Sequence, residues 1–427
     1  MRVSGPDLAP LIRAVCGALP APRAVRLARL RDDAGVFDEG VLTWMPGPRS
    51  YTGEDVAEVS CHGNPLLVER LLRAFQAQGA RPAQAGEFTR RAFLNGRMDL
   101  TRAEAVLQAI AATSPAGLDV ARAGLDGRVS AHAEALRDAL VDLAAELEAA
   151  LDYPGEDLLV DSDAALAARL ATVAESASAA VATFRAGQLA VEGAKVALVG
   201  PVNAGKSSVF NALLGRARAL VSPHAGTTRD VVESALVLDA ARVVLYDTAG
   251  EREGEVADPI EAAGLALAAA MVREADLVLL VLPGHAPLDA LGAALLARTA
   301  DRPRIVVVTH GDLPRRLDLP GDAGATAEIA IPTGAGVDAL RAALLTALRG
   351  EDPGEVAAIV ASQRQRDAYA RLGAHASAAA AALVDGAGAA VAVERVYEAL
   401  GALDALTGRD TREAVLDRLF ARFCIGK

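Results

Sequence analysis

The chain has 427 residues, with 55 acidic against 43 basic side chains and a formal net charge of −12. Such a surplus has no overall attraction for polyanions, so a nucleic-acid partner needs a local basic patch, and an aromatic content of 3% argues against a base-stacking platform. No run of strongly apolar residues approaches the ~20 needed to span a bilayer, the amino terminus lacks a secretion signal's apolar core, and Cys16, Cys61 and Cys424 show no CxxC or zinc-finger spacing. A cytoplasmic protein without a membrane partner is the expectation.

From Met1 to about Asn95, short apolar runs alternate with turn signals, as in GVLTWMPGP (40–48) and SYTGEDVAEVSCHGNP (50–65). A helical stretch from Pro65 to Gln78 follows, which predicts an α+β unit. From about Leu100 to Leu189 the pattern is helical. Leu136, Leu140, Leu143, Leu147 and Leu151 recur every three or four residues up to Pro154 and Gly155. Leu166, Leu170, Val173, Val181 and Phe184 form a second stripe.

The texture changes at Lys195. KVALVG (195–200), RVVLYDTAG (242–250), ADLVLLVLPG (275–284) and RIVVVTHGD (304–312) are short Val/Leu-rich runs separated by helical segments. This predicts a parallel sheet covered on both faces. After Gly350 helices return, with stripes Val396, Leu400, Leu403, Leu406 and Val415, Leu416, Leu419, Phe420, Phe423. Two architectures fit: one helical domain made of two separated segments with the α/β block inserted, or two independent helical domains.

Gly200 to Ser207 reads GPVNAGKS, a full match to GxxxxGK[ST], between a predicted strand and a predicted helix. Glycines let backbone N–H groups turn inward around phosphates, and the helix N-terminus adds a favourable dipole. Asn203, Ala204, Gly205, Lys206, Ser207 and Ser208 are the candidate phosphate-binding residues, with Lys206 reaching the β- and γ-phosphates and Ser207 placed for Mg²⁺. AGTTRD (225–230), with Ala225, Gly226, Thr227 and Thr228, lies where a switch segment presents Thr228 to Mg²⁺ and the γ-phosphate. LYDTAG (245–250) ends a strand with Asp247, placed to hold the metal through water, followed by Thr248, Ala249 and Gly250, whose N–H faces the γ-phosphate.

THGD (309–312) follows the strand RIVVV, and a carboxylate at Asp312 accepts from N1–H and the 2-amino group of guanine, donors that adenine lacks. Thr309 and His310 stand where GTPases have the Asn and Lys of NKxD, with Gly311 between them and the acceptor. The amide that ties loops together and the aliphatic stem over the base are absent, and His310 is a candidate to stack instead. IPTGAG (331–336) also lacks the usual Ser-Ala-Lys, so guanine selectivity with weaker affinity is expected.

These motifs, with GPRSYTGEDVAEVSCHGNP, AGEFTRRAFLNGRMDLTRAEA (85–105) and the terminal FCIGK (423–427), resemble the tRNA-modification GTPase MnmE (TrmE) family along the whole chain. The resemblance implies a multidomain α/β and α protein. It has a tetrahydrofolate-binding-type α+β dimerisation domain (1–97), a discontinuous helical domain (98–190 and 351–427) and an inserted Ras-like P-loop GTPase domain (191–350). It also implies a potassium-activated GTP hydrolase, working as a homodimer, or as a heterotetramer with an FAD-dependent MnmG-type protein. Together they would modify carbon 5 of the wobble uridine in tRNA with a one-carbon unit from reduced folate.

By the same resemblance, Asn203 ligates K⁺ beside the phosphates, and the loop Ser222, Pro223, His224, Ala225, Gly226, Thr227 supplies further ligands, with Ser222, His224 and Thr227 in the K⁺ set. A cation there neutralises developing charge as an arginine finger does elsewhere. Glu261, in DPIEAAG (258–264), matches the glutamate that orients the attacking water, and Glu251 directly after DTAG is the runner-up. Arg2, Glu58, Arg97 and Lys427 match the folate pocket. Arg97 stands where the family has Lys, and Cys424 is a nucleophile in tRNA modification or a packed thiol.

Relative to the family pattern the chain opens at RVSG, roughly twenty residues late. Either the true start lies upstream, or dimerisation and folate binding are impaired through an incomplete sheet. For tRNA phosphate, Arg81, Arg90, Arg91, Arg97 and Arg102 against Glu87 and Asp99 form a candidate basic patch. The alternative function is a switch-type or degenerate GTPase that binds GTP and RNA or ribosome without modifying anything.

Overall fold

The computed structural model describes the chain outside residues 153–160, 216–217, 221–231, 239–240, 248–269, 350–359, 411–412, 424–425 and 427. It divides into two compact units. One comprises Met1–Leu107, Gly124–Ser178 and Asp367–Lys427, and the other Gln108–Ala123 and Ala179–Arg366.

In the first unit, β1 (Arg2–Gly5), β2 (Val25–Asp32), β3 (Gly35–Met45) and β4 (Asp55–Ser60) form an antiparallel sheet in the order β1-β4-β3-β2. Only two residues separate β2 from β3, too few for anything but a hairpin, and Asp32 Oδ1 accepts from Ala34 N at 3.0 Å to brace the turn. Helices Ala9–Cys16 and Pro65–Ala77 supply one core with the sheet, in which Ile12, Leu30, Leu42, Leu71 and Phe75 are buried. The second helix starts where the sequence says it should. Asn64 Oδ1 accepts from Leu66 N at 2.9 Å, and Pro65 occupies a first-turn position whose N–H has no helical partner to lose.

Helices Arg128–Asp152 and Ala389–Thr407 lie alongside one another in this unit. They run antiparallel: Arg137 pairs with Asp404 at 2.7 Å, and further along Tyr397 donates to Glu148 at 2.6 Å. Leu136, Leu140, Leu143 and Leu147 are buried as their spacing predicts, whereas Leu151, in the final turn, is 41% exposed. Near the far end of the chain, Leu416, Phe420 and Phe423 pack with Leu100 and Ala103. By length and composition the stretch Asp163–Glu192, mean hydropathy 1.2, is long and apolar enough to cross a membrane, although Arg169, Glu175 and Arg185 interrupt it, so it is not a run of strongly apolar residues. Alanine, rather than larger apolar side chains, raises its mean, and 39% of the window is buried inside the protein.

The second unit is built on β5 (Ala194–Val199), β6 (Arg218–Leu220), β7 (Val232–Leu238), β8 (Ala241–Asp247), β9 (Leu277–Pro283), β10 (Arg304–Thr309) and β11 (Ala325–Glu328), ordered β11-β10-β9-β5-β8-β7-β6. The strands from β11 to β8 are parallel, but β7 pairs antiparallel with both β8 and β6, which corrects the all-parallel expectation. Two residues separate β7 from β8, and a parallel neighbour needs a crossover of a dozen or so. Alternate residues feed opposite cores: Val196, Leu198, Leu279 and Val307 on one face, and Ala197, Val199, Leu280 and Val308 on the other. Burial on both faces is why these strands read as continuous apolar runs.

Candidate nucleotide-binding site

The parallel strands β5, β9 and β10 all end at one edge of this sheet, where open α/β sheets hold ligands. From β5 the chain passes through Gly200 into the helix Lys206–Gly215. Gly200 lies so close to β9 that a Cβ there would stand 2.3 Å from the Val281 carbonyl oxygen, so a side chain would part the strands. Asn203 and Gly205 adopt φ of +63° and +93°, the left-handed turns that fold the loop back onto the helix N-terminus. Ala204 and Lys206 are buried, while Asn203, Ser207 and Ser208 are exposed. The Lys206 ammonium donates to the carbonyl oxygens of Gly200, at 3.0 Å, and Pro201, at 2.8 Å.

At the end of β10, Thr309 is buried and its hydroxyl lies 2.7 Å from the Ala204 carbonyl oxygen, to which it donates. The loop-tying contact, expected to vanish with the NKxD amide, is therefore supplied by a hydroxyl. The chains approach closely enough for the shorter side chain to reach, with the Thr309 methyl 3.3 Å from where a Gly205 Cβ would stand. His310 follows at φ +59°, and Asp312 is exposed. The neighbouring loop is tied in by Gly311 N donating to Ile329 O at 3.0 Å and closed by Ala330 N donating to Ala335 O at 3.0 Å. His285, one residue beyond the β9 segment ADLVLLVLPG, packs its ring against His310, with centroids 4.5 Å apart and planes at 70°. Sequence reading missed this residue, since a histidine in a loop carries no motif.

Asp247 closes β8 beside Leu198 of β5, which sets its backbone next to the glycine-rich loop. Ser222, Pro223, His224, Ala225, Gly226, Thr227, Thr228, Thr248, Ala249, Gly250, Glu251 and Glu261 lie outside the described residues, as do Cys424 and Lys427. Among the described residues no group of three His, Cys, Asp or Glu side chains can hold a metal ion. The exposed Ser207 hydroxyl is nonetheless the hard oxygen donor that Mg²⁺ takes beside phosphates, and the exposed Asn203 amide oxygen is a donor suited to K⁺.

In the first unit, Arg2 and Glu58 face each other across β1 and β4 and form an ion pair at 2.7 Å. The Arg2 guanidinium lies 5.0 Å from the Tyr51 ring centroid and 5.6 Å from that of Phe88. Arg97 Nε donates to Ser50 O at 3.1 Å, so Arg2 and Arg97 converge on adjacent residues. Arg2 lines a cavity of about 380 Å³ with Ser4, Glu87, Phe88 and Arg91, whereas Glu58 and Arg97 are not in its wall. A cation, a carboxylate and two aromatic rings are the groups a pterin and its acidic tail would need.

The fold reduces the charge excess of the arginine patch, because Glu54 and Asp417 join Glu87 and Asp99 against its five arginines, while Arg97 bonds a neutral carbonyl. Arg81 and Arg91 both bind Glu87 at 2.5 Å, Arg91 also binds Glu54 at 2.8 Å, Arg90 pairs with Asp417 at 3.2 Å, and Arg102 lies 4.0 Å from Asp99. Burial would raise the Glu87 carboxyl pKa, but hydrogen bonds from Arg81, Gln84 N and Arg91 bring it down to about 2.

Strand, glycine-rich turn, buried lysine and the helix behind it define a P-loop nucleotide-binding protein, with a second loop tied to the first where a base would lie. Comparison with known proteins narrows the class. The profile of the MnmE helical domain matches residues 100–424, and that of the GTP-binding protein TrmE N-terminus matches residues 1–97. The tRNA modification GTPase MnmE of Halorhodospira halophila is 41% identical over 100% of this chain and 92% of its own length. Those of Synechococcus sp. and Methylorubrum populi are 39% and 42% identical, each over 100% of this chain and 94% of their own. The chain belongs to the MnmE family.

Proposed function

We propose that the chain is a GTP hydrolase that acts in tRNA modification. The observation that carries this reading is the family match over residues 1–97 and 100–424 around an intact P-loop with a buried lysine, to which Thr309 of the base-side loop is tied through the Ala204 carbonyl. Lys206 binds the β- and γ-phosphates, exchanging its carbonyl partners for phosphate oxygens. Asp312 reads the guanine edge. Ser207 and Thr228 hold Mg²⁺, which when bound offsets charge on the phosphates. Asn203, Ser222, His224 and Thr227 hold K⁺, which adds positive charge where the transition state becomes more negative. Glu261 orients the attacking water, with Glu251 as the runner-up.

The finer function is carbon-5 modification of the wobble uridine in tRNA, with an FAD-dependent MnmG-type partner, in the cytoplasm and as a homodimer. Arg2, Glu58, Arg97 and Lys427 bind the reduced folate, which supplies the one-carbon unit, and Cys424 acts near the tRNA. Residues 1–97, 98–190 with 351–427, and 191–350 are the corresponding domains.

The test has two arms. Full-length protein with Mg²⁺ is expected to release phosphate from GTP faster in K⁺ than in Na⁺. Mass spectrometry of tRNA from a deletion strain is expected to show wobble uridine lacking the C5 group. Unchanged tRNA with intact GTP hydrolysis would favour the switch-type alternative.

A further inference from the structure

We propose that Thr309, His310 and His285 form one hydrogen-bonded and stacked chain that replaces the Asn–Lys pair of the base-reading motif, with His285 as a positioning residue for the guanine wall. The inference rests on the GTP reading above.

The direction of the hydrogen bonds follows from valence. Carbonyl oxygens only accept, so the single proton of the Thr309 hydroxyl goes to a carbonyl, to Ala204 O at 2.7 Å ahead of Leu282 O at 3.3 Å. The Thr309 oxygen, 3.0 Å from His310 Nδ1, must then accept from it. Nδ1 of His310 therefore carries a proton, and the ring is held by a bond that leads back to the phosphate-binding loop. One nitrogen is fixed in this way, and a second contact fixes the ring's tilt: the edge-to-face packing against His285.

His285 is exposed, yet its loop is not left to wander. Gly284 N donates to Thr309 O at 2.9 Å, and a Cβ on Gly284 would stand 2.8 Å from that oxygen. Gly284 O accepts in turn from Arg316 N at 2.8 Å and Leu317 N at 3.1 Å, which wraps the segment after Asp312 around the same glycine. The loop after β9 is thus clamped at Gly284, on both sides, to the segment that bears the base-reading carboxylate. A lysine stem covers a base without support because it is flexible and apolar. An imidazole in the left-handed conformation of His310 is rigid and needs a neighbour to hold its plane.

The ligand class is a guanine nucleoside di- or triphosphate, and the test is titration calorimetry of the full chain with GDP and with pyrophosphate, alongside thermal melting. His285→Ala is expected to weaken GDP binding about fivefold, the scale of one aromatic contact, with pyrophosphate binding and the nucleotide-free melting temperature unchanged. His285→Phe, which keeps the ring contact without a ring nitrogen, is expected to restore GDP affinity to within about twofold of the original. Unchanged GDP affinity in His285→Ala, a parallel loss of pyrophosphate binding, or failure of Phe to rescue would each overturn the proposal. Asp312→Asn separates this from the parent reading. If it shifts preference from guanine to xanthine while His285→Ala does nothing, guanine recognition stands and the wall does not. A wild-type chain that binds no GDP sinks both.

Discussion

The Lys206 ammonium rests 2.8 Å from the carbonyl oxygen of Pro201, inside the loop it would otherwise extend through. Phosphate oxygens hold an ammonium more strongly than carbonyl oxygens do, so exchanging the Gly200 and Pro201 carbonyls for phosphate favours nucleotide binding.

Lys206→Ala removes that exchange. GTP affinity is expected to fall by about 3 kcal/mol, roughly a hundredfold, the range for a charged hydrogen-bonding group lost from a phosphate site. Calorimetric titration checks it, and a variant that binds GTP as tightly as the parent would show that the loop does not hold phosphate through this side chain.

Asp312→Asn replaces a pure acceptor by a group with both donor and acceptor. GTP binding should weaken by about 2–3 kcal/mol, while xanthosine triphosphate, which offers an acceptor in place of the guanine 2-amino donor, should gain. Competition between the two nucleotides for one fluorescent analogue measures the switch.

Glu87 makes stability depend on acid. Its carboxyl sits at about 2 in the folded chain, below the ordinary carboxylate value, so its contribution is complete above about pH 4.5 and is lost as pH falls toward 2. At neutral pH the contribution is on the order of 2 kcal/mol after solvent screening. Urea midpoints of Glu87→Gln and the parent should separate at pH 6, the parent being the more stable, and draw together only as pH falls to about 2 and below.

Tyr369 is fully buried, and its hydroxyl lies 2.9 Å from His132 Nδ1, joining helices far apart in sequence; Ser176 Oγ lies 3.0 Å from the other ring nitrogen. Burial lowers the His132 pKa and so favours the neutral ring in the folded state. That stabilisation is present above the unfolded value of about 6.5 and is lost as pH falls through the lower folded one. Tyr369→Phe should cost about 1–2 kcal/mol at pH 8, read from urea unfolding. His132→Asn should flatten the decline of stability between pH 7 and pH 5.

The glycine-rich loop was legible because its chemistry is local: the spacing from Gly200 to Ser207 sets the turn, the lysine and the helix start within one short segment. The doubly buried strands and the helix from Pro65 were legible for the same reason, since burial and helical periodicity leave their marks on neighbouring residues. Where a carboxylate or carbonyl meets its partner is not local. Thr309 reaches Ala204 across 105 residues, Asp417 returns from the end of the chain to cancel Arg90, and His285 acquires a role only because β9 and β10 are neighbours in the sheet. Apolar periodicity and backbone turns belong to a segment by itself, whereas charge compensation and hydrogen-bond direction belong to pairs, and folding alone chooses the pairs.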